Sequence, residues 1–203
     1  MDTRPVDPWR APPLLRGRHV TLEPLQAAHA DGLRAAVQDG RLWELTYTST
    51  PRPGEMDAYI ASALEQQVAG ACLAFAVRDA AGELVGTTRY YDLAPSVPRL
   101  QVGYTWYARR VQRTGLNTEA KLLLLTHAFE ALGCASVGLQ TSHQNLASRN
   151  AIARIGAKQE GILRRHLRHK DGSLRDTVCF AIVDSEWPEA KANLRAMLAR
   201  HDA

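Results

Sequence analysis

The spacing of hydrophobic and polar positions changes several times along the chain, and each change marks an element. His19 to Leu25 alternates, with Val20 and Leu22 on one side, which predicts a strand. Gln26–Gln38 and Glu55–Ala69 carry helix-favouring residues, separated by breakers at Asp39–Gly40 and Thr46–Pro53. Cys72–Arg78 and Glu83–Leu93 predict two strands joined by a hairpin turn at Asp79–Gly82, and Leu100–Tyr107 predicts a third after Pro95–Pro98. Leu116–Leu132 predicts a long helix. Leu122, Leu125, Phe129 and Leu132 lie on one stripe that Leu123 and Leu124 widen, as for a helix lying on a sheet, and Gly133 ends it.

Ala135–Thr141 predicts a short strand directly after that helix, an order that permits a parallel crossover. Leu146–Ile155 predicts a second helix closed by Gly156. Lys158–His169 and Leu174–Asp184 predict a hairpin turning at Lys170–Ser173, and Glu186–Arg200 a terminal helix with Pro188 in its first turn. The sum is α/β: a mixed, mostly antiparallel sheet with helices on both faces.

At 203 residues one domain is the default, with a proline-rich arm over 1–13 and the domain over 14–203. A net charge of +4 suits anionic ligands but falls short of a nucleic-acid-binding composition. The basic run Arg164–Lys170, interrupted by Leu167, reads as a solvated strand face rather than an RNA contact. Cys72, Cys134 and Cys179 form no C-x-x-C pair, which predicts reduced thiols, no metal scaffold and a cytoplasmic protein. The first residues lack the apolar run of a signal peptide, and no stretch approaches a membrane span.

The chemistry centres on Tyr104–Lys121. Here a strand end leads through a basic turn at Gly115 into the long helix, with Arg109, Arg110 and Arg113 crowding the turn. Backbone N–H groups aimed outward at a helix N-terminus form a ready anion site. The turn is neither G-x-x-x-x-G-K-[ST] nor G-x-G-x-x-G, and H-E-x-x-H and G-x-S-x-G are absent, so the corresponding nucleotide, metalloprotease and hydrolase readings lose support. In the second helix Asn145, Ser148, Ile152 and Ile155 share a face that the isoleucines draw inward; Ser148 is there either a satisfied helix serine or a group serving chemistry. Trp43, Tyr47 and Tyr59, in the flank over residues 26–69, read as packing before substrate contact.

Gln112-Arg113-Thr114-Gly115-Leu116-Asn117 resembles the Q/R-x-x-G-x-G/A loop of the GNAT (Gcn5-related N-acetyltransferase) superfamily. Asn145-Leu146-Ala147-Ser148 with Gly156-Ala157, together with the G-T-T-R-Y, G-Y-T-W, E-G-I-L-R and E-W-P segments, resembles its Rim-type branch, over about residues 14 to 199. The resemblance implies a GNAT fold with a splayed central strand pair, acetyl-CoA as co-substrate without a metal, and direct transfer to a primary amine. That amine is a protein N-terminus or a small molecule, and a homodimer is common in the branch. An acyl-CoA-binding sensor without catalysis is the alternative.

Carried onto this chain, the resemblance places the phosphates on Gln112, Arg113, Thr114, Gly115, Leu116, Asn117 and Thr118. It places the pantetheine arm on Tyr104, Thr105, Trp106, Tyr107 and Asn145, and makes Ser148 the proton donor to the leaving thiolate. Asn117 stands where the loop usually has a second small residue. Asn tolerates left-handed geometry and caps helices, so the loop is expected to work with some crowding. Where relatives carry a basic carboxylate this chain reads E-G-I-L-R-R-H-L-R-H; His166 is the substitute, with Glu160, Glu23 and Glu44 as further options. An α-amine of pKa ~7.8 is roughly a third neutral at pH 7.4 and needs only a weak base, unlike a lysine near ~10.4.

Overall fold

Eight strands hydrogen-bond into one sheet in the order β1-β2-β3-β4-β5-β6-β8-β7 in the computed structural model, which describes residues 7–201. They are β1 (Leu15–Arg16), β2 (Val20–Pro24), β3 (Cys72–Asp79), β4 (Leu84–Ala94), β5 (Arg99–Tyr107), β6 (Ser136–Ser142), β7 (Lys158–Arg168) and β8 (Leu174–Val183). The helices are α1 (Ala30–Gln38), α2 (Met56–Val68), α3 (Gly115–Thr126), α4 (Leu146–Ala153) and α5 (Trp187–Ala199). Every neighbouring pair is antiparallel except β5 and β6, which the crossover helix α3 makes parallel. The sheet, its parallel crossover and helices on both faces are as the hydrophobic pattern predicts.

Strand alternation divides the helices between two faces. On β4, Thr87 reaches Tyr59 of α2, whereas Tyr90 donates to the Leu124 carbonyl of α3. Leu33, Ala36 and Val37 of α1 and Met56, Ile60 and Ala63 of α2 bury one side of the core; α3 and α5 bury the other.

The central pair separates. β5 and β6 are in register only at Arg99–Ser136, Leu100–Val137 and Gln101–Gly138, although β5 continues to Tyr107 and β6 to Ser142. The cause lies on the other side of β5. Its pairing with β4 shifts between Thr87–Trp106 and Arg89–Gly103, so one residue of β4 faces two of β5, and Tyr104 takes a left-handed φ of 52°. Such a bulge bends its strand and increases the local twist, carrying the far half of β5 away from β6.

Two local readings change. The fully buried residues of α3 are Leu116, Ala120, Leu124 and Leu125, with Ala128 in the turn beyond, while Leu122, Leu123 and Phe129 are half-buried. The helix is enclosed by the sheet, by the β1–β2 turn and by α5, so burial also falls on Thr118, Glu119 and Lys121. Its last stretch, His127–Ala131, widens into a π turn before Gly133, whose φ of 66° ends it. Of the predicted arm, residues 1–6 lie outside the described residues. The remainder turns at Asp7–Arg10 and sets Trp9 against the core. No helix among the described residues is long and apolar enough to cross a membrane.

Candidate active site

The turn into α3 is built by three local bonds. Gln112 Nε2 donates to the Tyr107 carbonyl at 2.9 Å, tying the loop back to β5. Thr114 caps the helix: its Oγ1 donates to the Val111 carbonyl at 2.7 Å and accepts from Leu116 N–H at 3.3 Å. The left-handed residue is Arg113, with φ 62°. Asn117 therefore needs neither of the properties expected of it: it sits inside the first helical turn, with ordinary helical backbone and the cap already supplied. A Cβ on Gly115 would meet the His19 ring at 3.3 Å, so a small residue lets the β1–β2 turn close over the helix start. Apart from Leu116 N–H, which Thr114 caps, the first N–H groups of α3 have no acceptor within the helix, as anion binding requires.

The three arginines of this turn diverge. Arg110 N–H donates to Asp39 Oδ2 at 2.9 Å and its guanidinium pairs with Asp79 at 3.1 Å; Arg109 N–H donates to the Asp39 carbonyl at 3.0 Å. Arg113 remains exposed beside the helix start.

Below the splay, Thr105 Oγ1 is 2.8 Å from Thr88 Oγ1 and accepts from Lys121 Nζ at 3.3 Å. Burial without a carboxylate lowers the Lys121 pKa to about 8. Trp106 and Tyr107 are buried, and their Nε1 and hydroxyl atoms have no hydrogen-bond partner. Burial also pushes the Tyr107 hydroxyl pKa well up. Tyr104 is the exposed residue of this stretch, at 38 %.

Across the gap, Asn145 caps α4 by accepting from Ser148 N–H at 3.0 Å. Its side-chain oxygen is thereby engaged, while its NH₂ bonds no described residue. Ile152 and Ile155 are buried as the spacing requires, and Ser148 is half-buried with its hydroxyl bonded to no described residue.

His166 is exposed on β7, with Nδ1 3.2 Å from Thr177 Oγ1, and no hydrogen bond joins it to Ser148. The acidic options separate too. Glu23 is held by Arg78 at 2.7 Å and His29 at 3.1 Å, Glu44 pairs with Arg41, and Glu160 is exposed near Cys179.

Sequence reading missed Ser142 and His169. Both are buried, with Oγ and Nε2 at 3.0 Å, and they line a cavity of about 310 Å³ with His143, Arg165, Leu174 and Asp176. His169 Nδ1 continues to Ser173 Oγ at 3.0 Å, and that hydroxyl donates to Asp171 at 2.6 Å. Only the second histidine of H-L-R-H hinted at this, since its serine partner is 27 residues away.

The tip of the β7–β8 hairpin fastens onto the loop between α1 and α2. Lys170 N–H donates to the Thr46 carbonyl at 3.2 Å, and Nζ donates to Thr50 O at 2.6 Å and Trp43 O at 3.3 Å. This strap bounds the sheet face opposite α3. Lys170→Met, losing two charged hydrogen bonds on a partly buried group, is expected to lower stability by about 1–2 kcal/mol. Its KM for the acceptor should rise more than that for the acyl donor, measured by denaturant unfolding and steady-state kinetics.

A splayed strand pair beside an open helix N-terminus defines a class, and comparison with known proteins agrees. The acetyltransferase (GNAT) domain model matches residues 19–158, and the chain belongs to this family of acetyltransferases. It is similar to the uncharacterized N-acetyltransferase YoaA of Bacillus subtilis (strain 168), with 30% identity over 101 residues, 50% of this chain and 56% of YoaA. The match thus spans about half the length of that curated relative. A GCN5-related N-acetyltransferase from Brucella melitensis shares 31% identity over 92% of this chain and 85% of its own, with a TM-score of 0.81. Mycobacterium smegmatis RimJ, solved with CoA-disulfide, has a TM-score of 0.74 at 23% identity over 91% of this chain and 93% of its own, a likeness of fold.

Proposed function

We propose that this enzyme transfers acetyl from acetyl-CoA to a primary amine, a protein N-terminal α-amine or a small molecule, by direct attack in a ternary complex in the cytoplasm. The observation that carries this reading is the coincidence, at the C-terminal end of the central parallel strands, of the splayed end of β5 with the N-termini of α3 and α4. The residues fit the co-substrate. The N–H groups from Arg113 to Thr118 would hold the phosphates, and the unpaired edge of Tyr104–Tyr107 with the Asn145 amide would hold the arm. Acetyl-CoA supplies an acyl group already activated as a thioester. An N–H of the splayed strand would stabilise charge developing on the carbonyl oxygen. Ser148 would return a proton to the departing sulfur, and His166 or solvent would take one from the amine. The N-x-x-S pattern at the start of α4, Asn145 to Ser148, and its glycine stop support assignment to the Rim-type branch.

The test is release of free thiol from acetyl-CoA with a panel of peptides and amines. Release with none of them, despite tight CoA binding, would favour a sensor. A thiol is a good leaving group, so Ser148→Ala should lower kcat by only about ten- to thirtyfold, below the usual range for general acids. KM for acetyl-CoA should stay within about twofold, because the hydroxyl acts late. Unchanged turnover would remove Ser148 from the reaction.

A further inference from the structure

One buried cation on the acceptor side has no use in the chemistry above. Arg89 of β4 is 2 % exposed, lies opposite Gly103 in the register, just before the bulge, and points to the face carrying α2. The Tyr59 and Tyr104 rings each lie 4.6 Å from its guanidinium carbon. Its Nε has no hydrogen-bond partner, and no described carboxylate pairs with it. Tyr104 also meets Tyr91 edge-on, and a second guanidinium, Arg175 of β8, is half-buried near that contact with its Nε also unpartnered. Asp92, the neighbouring acid, is already held by Arg99 at 2.7 Å and Gln101 at 3.1 Å.

Two guanidinium groups that share Tyr104 as a neighbour, neither paired with a described acid, each forgo hydrogen bonds that water would supply. An anion entering from the acceptor side relieves both costs. The two rings contact the guanidinium of Arg89 without supplying an acceptor, so its planar fork of donors is left to match a carboxylate.

Resting on the acetyl-transfer reading, we propose that Arg89, supported by Arg175, recognises a carboxylate on the acceptor. The substrate class is then an amine bearing a carboxylate: an amino-acid-like small molecule, or a peptide whose first residue is acidic. Arg89 is a specificity-determining residue, and Tyr104 places it beside the splayed strand where the acyl group would arrive.

The experiment compares matched acceptors that differ only in charge: amino acids against their amides, and peptides opening with Asp or Glu against Asn or Gln. Wild type should favour the acid member by tenfold or more in kcat/KM. Arg89→Gln should abolish that preference by raising KM for the acid members, with the amide members and KM for acetyl-CoA little changed; Arg89→Lys should retain part of it. Equal use of acid and amide by wild type overturns the proposal, and needs no variant to fold. So does an equal loss on both members in Arg89→Gln, or faster transfer to aminoalkyl phosphates than to the carboxylates. If no amine is acetylated, the transfer reading fails by itself. Carboxylate recognition is then read from thermal shifts: stabilisation by N-acetyl amino acids but not by their amides supports it, and equal shifts sink it.

Discussion

Glu119→Ala should lower the melting temperature by roughly 6–15 °C, at about 2–4 °C per kcal/mol for a chain of this size. The residue is buried in the first turns of α3, and its carboxylate accepts three backbone N–H groups: Arg18 at 2.9 Å, His19 at 2.5 Å and Val20 at 3.0 Å. Gly17 is fitted to it, since a Cβ there would lie 2.3 Å from Glu119 Cδ. Removing the carboxylate takes a charged acceptor from three backbone N–H groups, that of Val20 buried, at a cost of about 3–4 kcal/mol. Glu119→Gln keeps an acceptor but turns an NH₂ toward donors, so it should lose roughly half as much. Because the held turn brings His19 against Gly115, acetyl-CoA binding should weaken with stability. Unfolding and calorimetric titration read the two effects; a melting temperature within about 2 °C of wild type would refute this account.

Lys121→Met should act in the opposite direction and make the protein more stable at neutral pH. Lys121 titrates at its ordinary 10.5 when unfolded and at about 8 when folded, because burial penalises its charged form. Between those values the unfolded chain binds the extra proton, so stability rises with pH there. The penalty is complete below pH 8 and gone above 10.5, and it is worth up to about 3 kcal/mol. Methionine fills similar space without a charge. The variant should therefore exceed wild type by about 2–3 kcal/mol at pH 7, with the gap closing by about pH 10.5. Denaturant unfolding at a series of pH values measures it; a gap that stays constant with pH would mean that Lys121 does not titrate as described. The cost sits beside the splayed strand, where Lys121 and Thr88 orient the Thr105 hydroxyl.

The two halves of the site were unequally legible. The turn into α3 is locally determined, with Gln112 reaching back to Tyr107 and Thr114 capping the helix, each within six residues. Asn117 drew concern because one position of a motif was judged without its backbone; the left-handed residue lies four positions earlier, at Arg113. The run Arg164–Lys170 holds two histidines, His166 and His169, that the sequence alone does not tell apart. β7 is irregular where pairing shifts between Leu163 and Leu167; His166 there lies exposed with Nδ1 against Thr177 Oγ1, whereas His169 turns inward to Ser142. Alternation along a strand cannot be counted through a bulge that has not been located.

By itself the sequence determined the elements, their order and the parallel crossover, because periodicity, caps and turn residues act over a few positions. It also carried the loop and helix motifs that place the chain in its family. The tertiary structure alone decided where the sheet opens and what meets across it. The Tyr104 bulge, the Glu119 anchor reaching 100 positions back, the Lys170 strap and the Tyr59–Arg89–Tyr104 stack all join distant segments. Those contacts follow from strand order and register, which long-range packing settles, so the acceptor side of the site is where sequence says least.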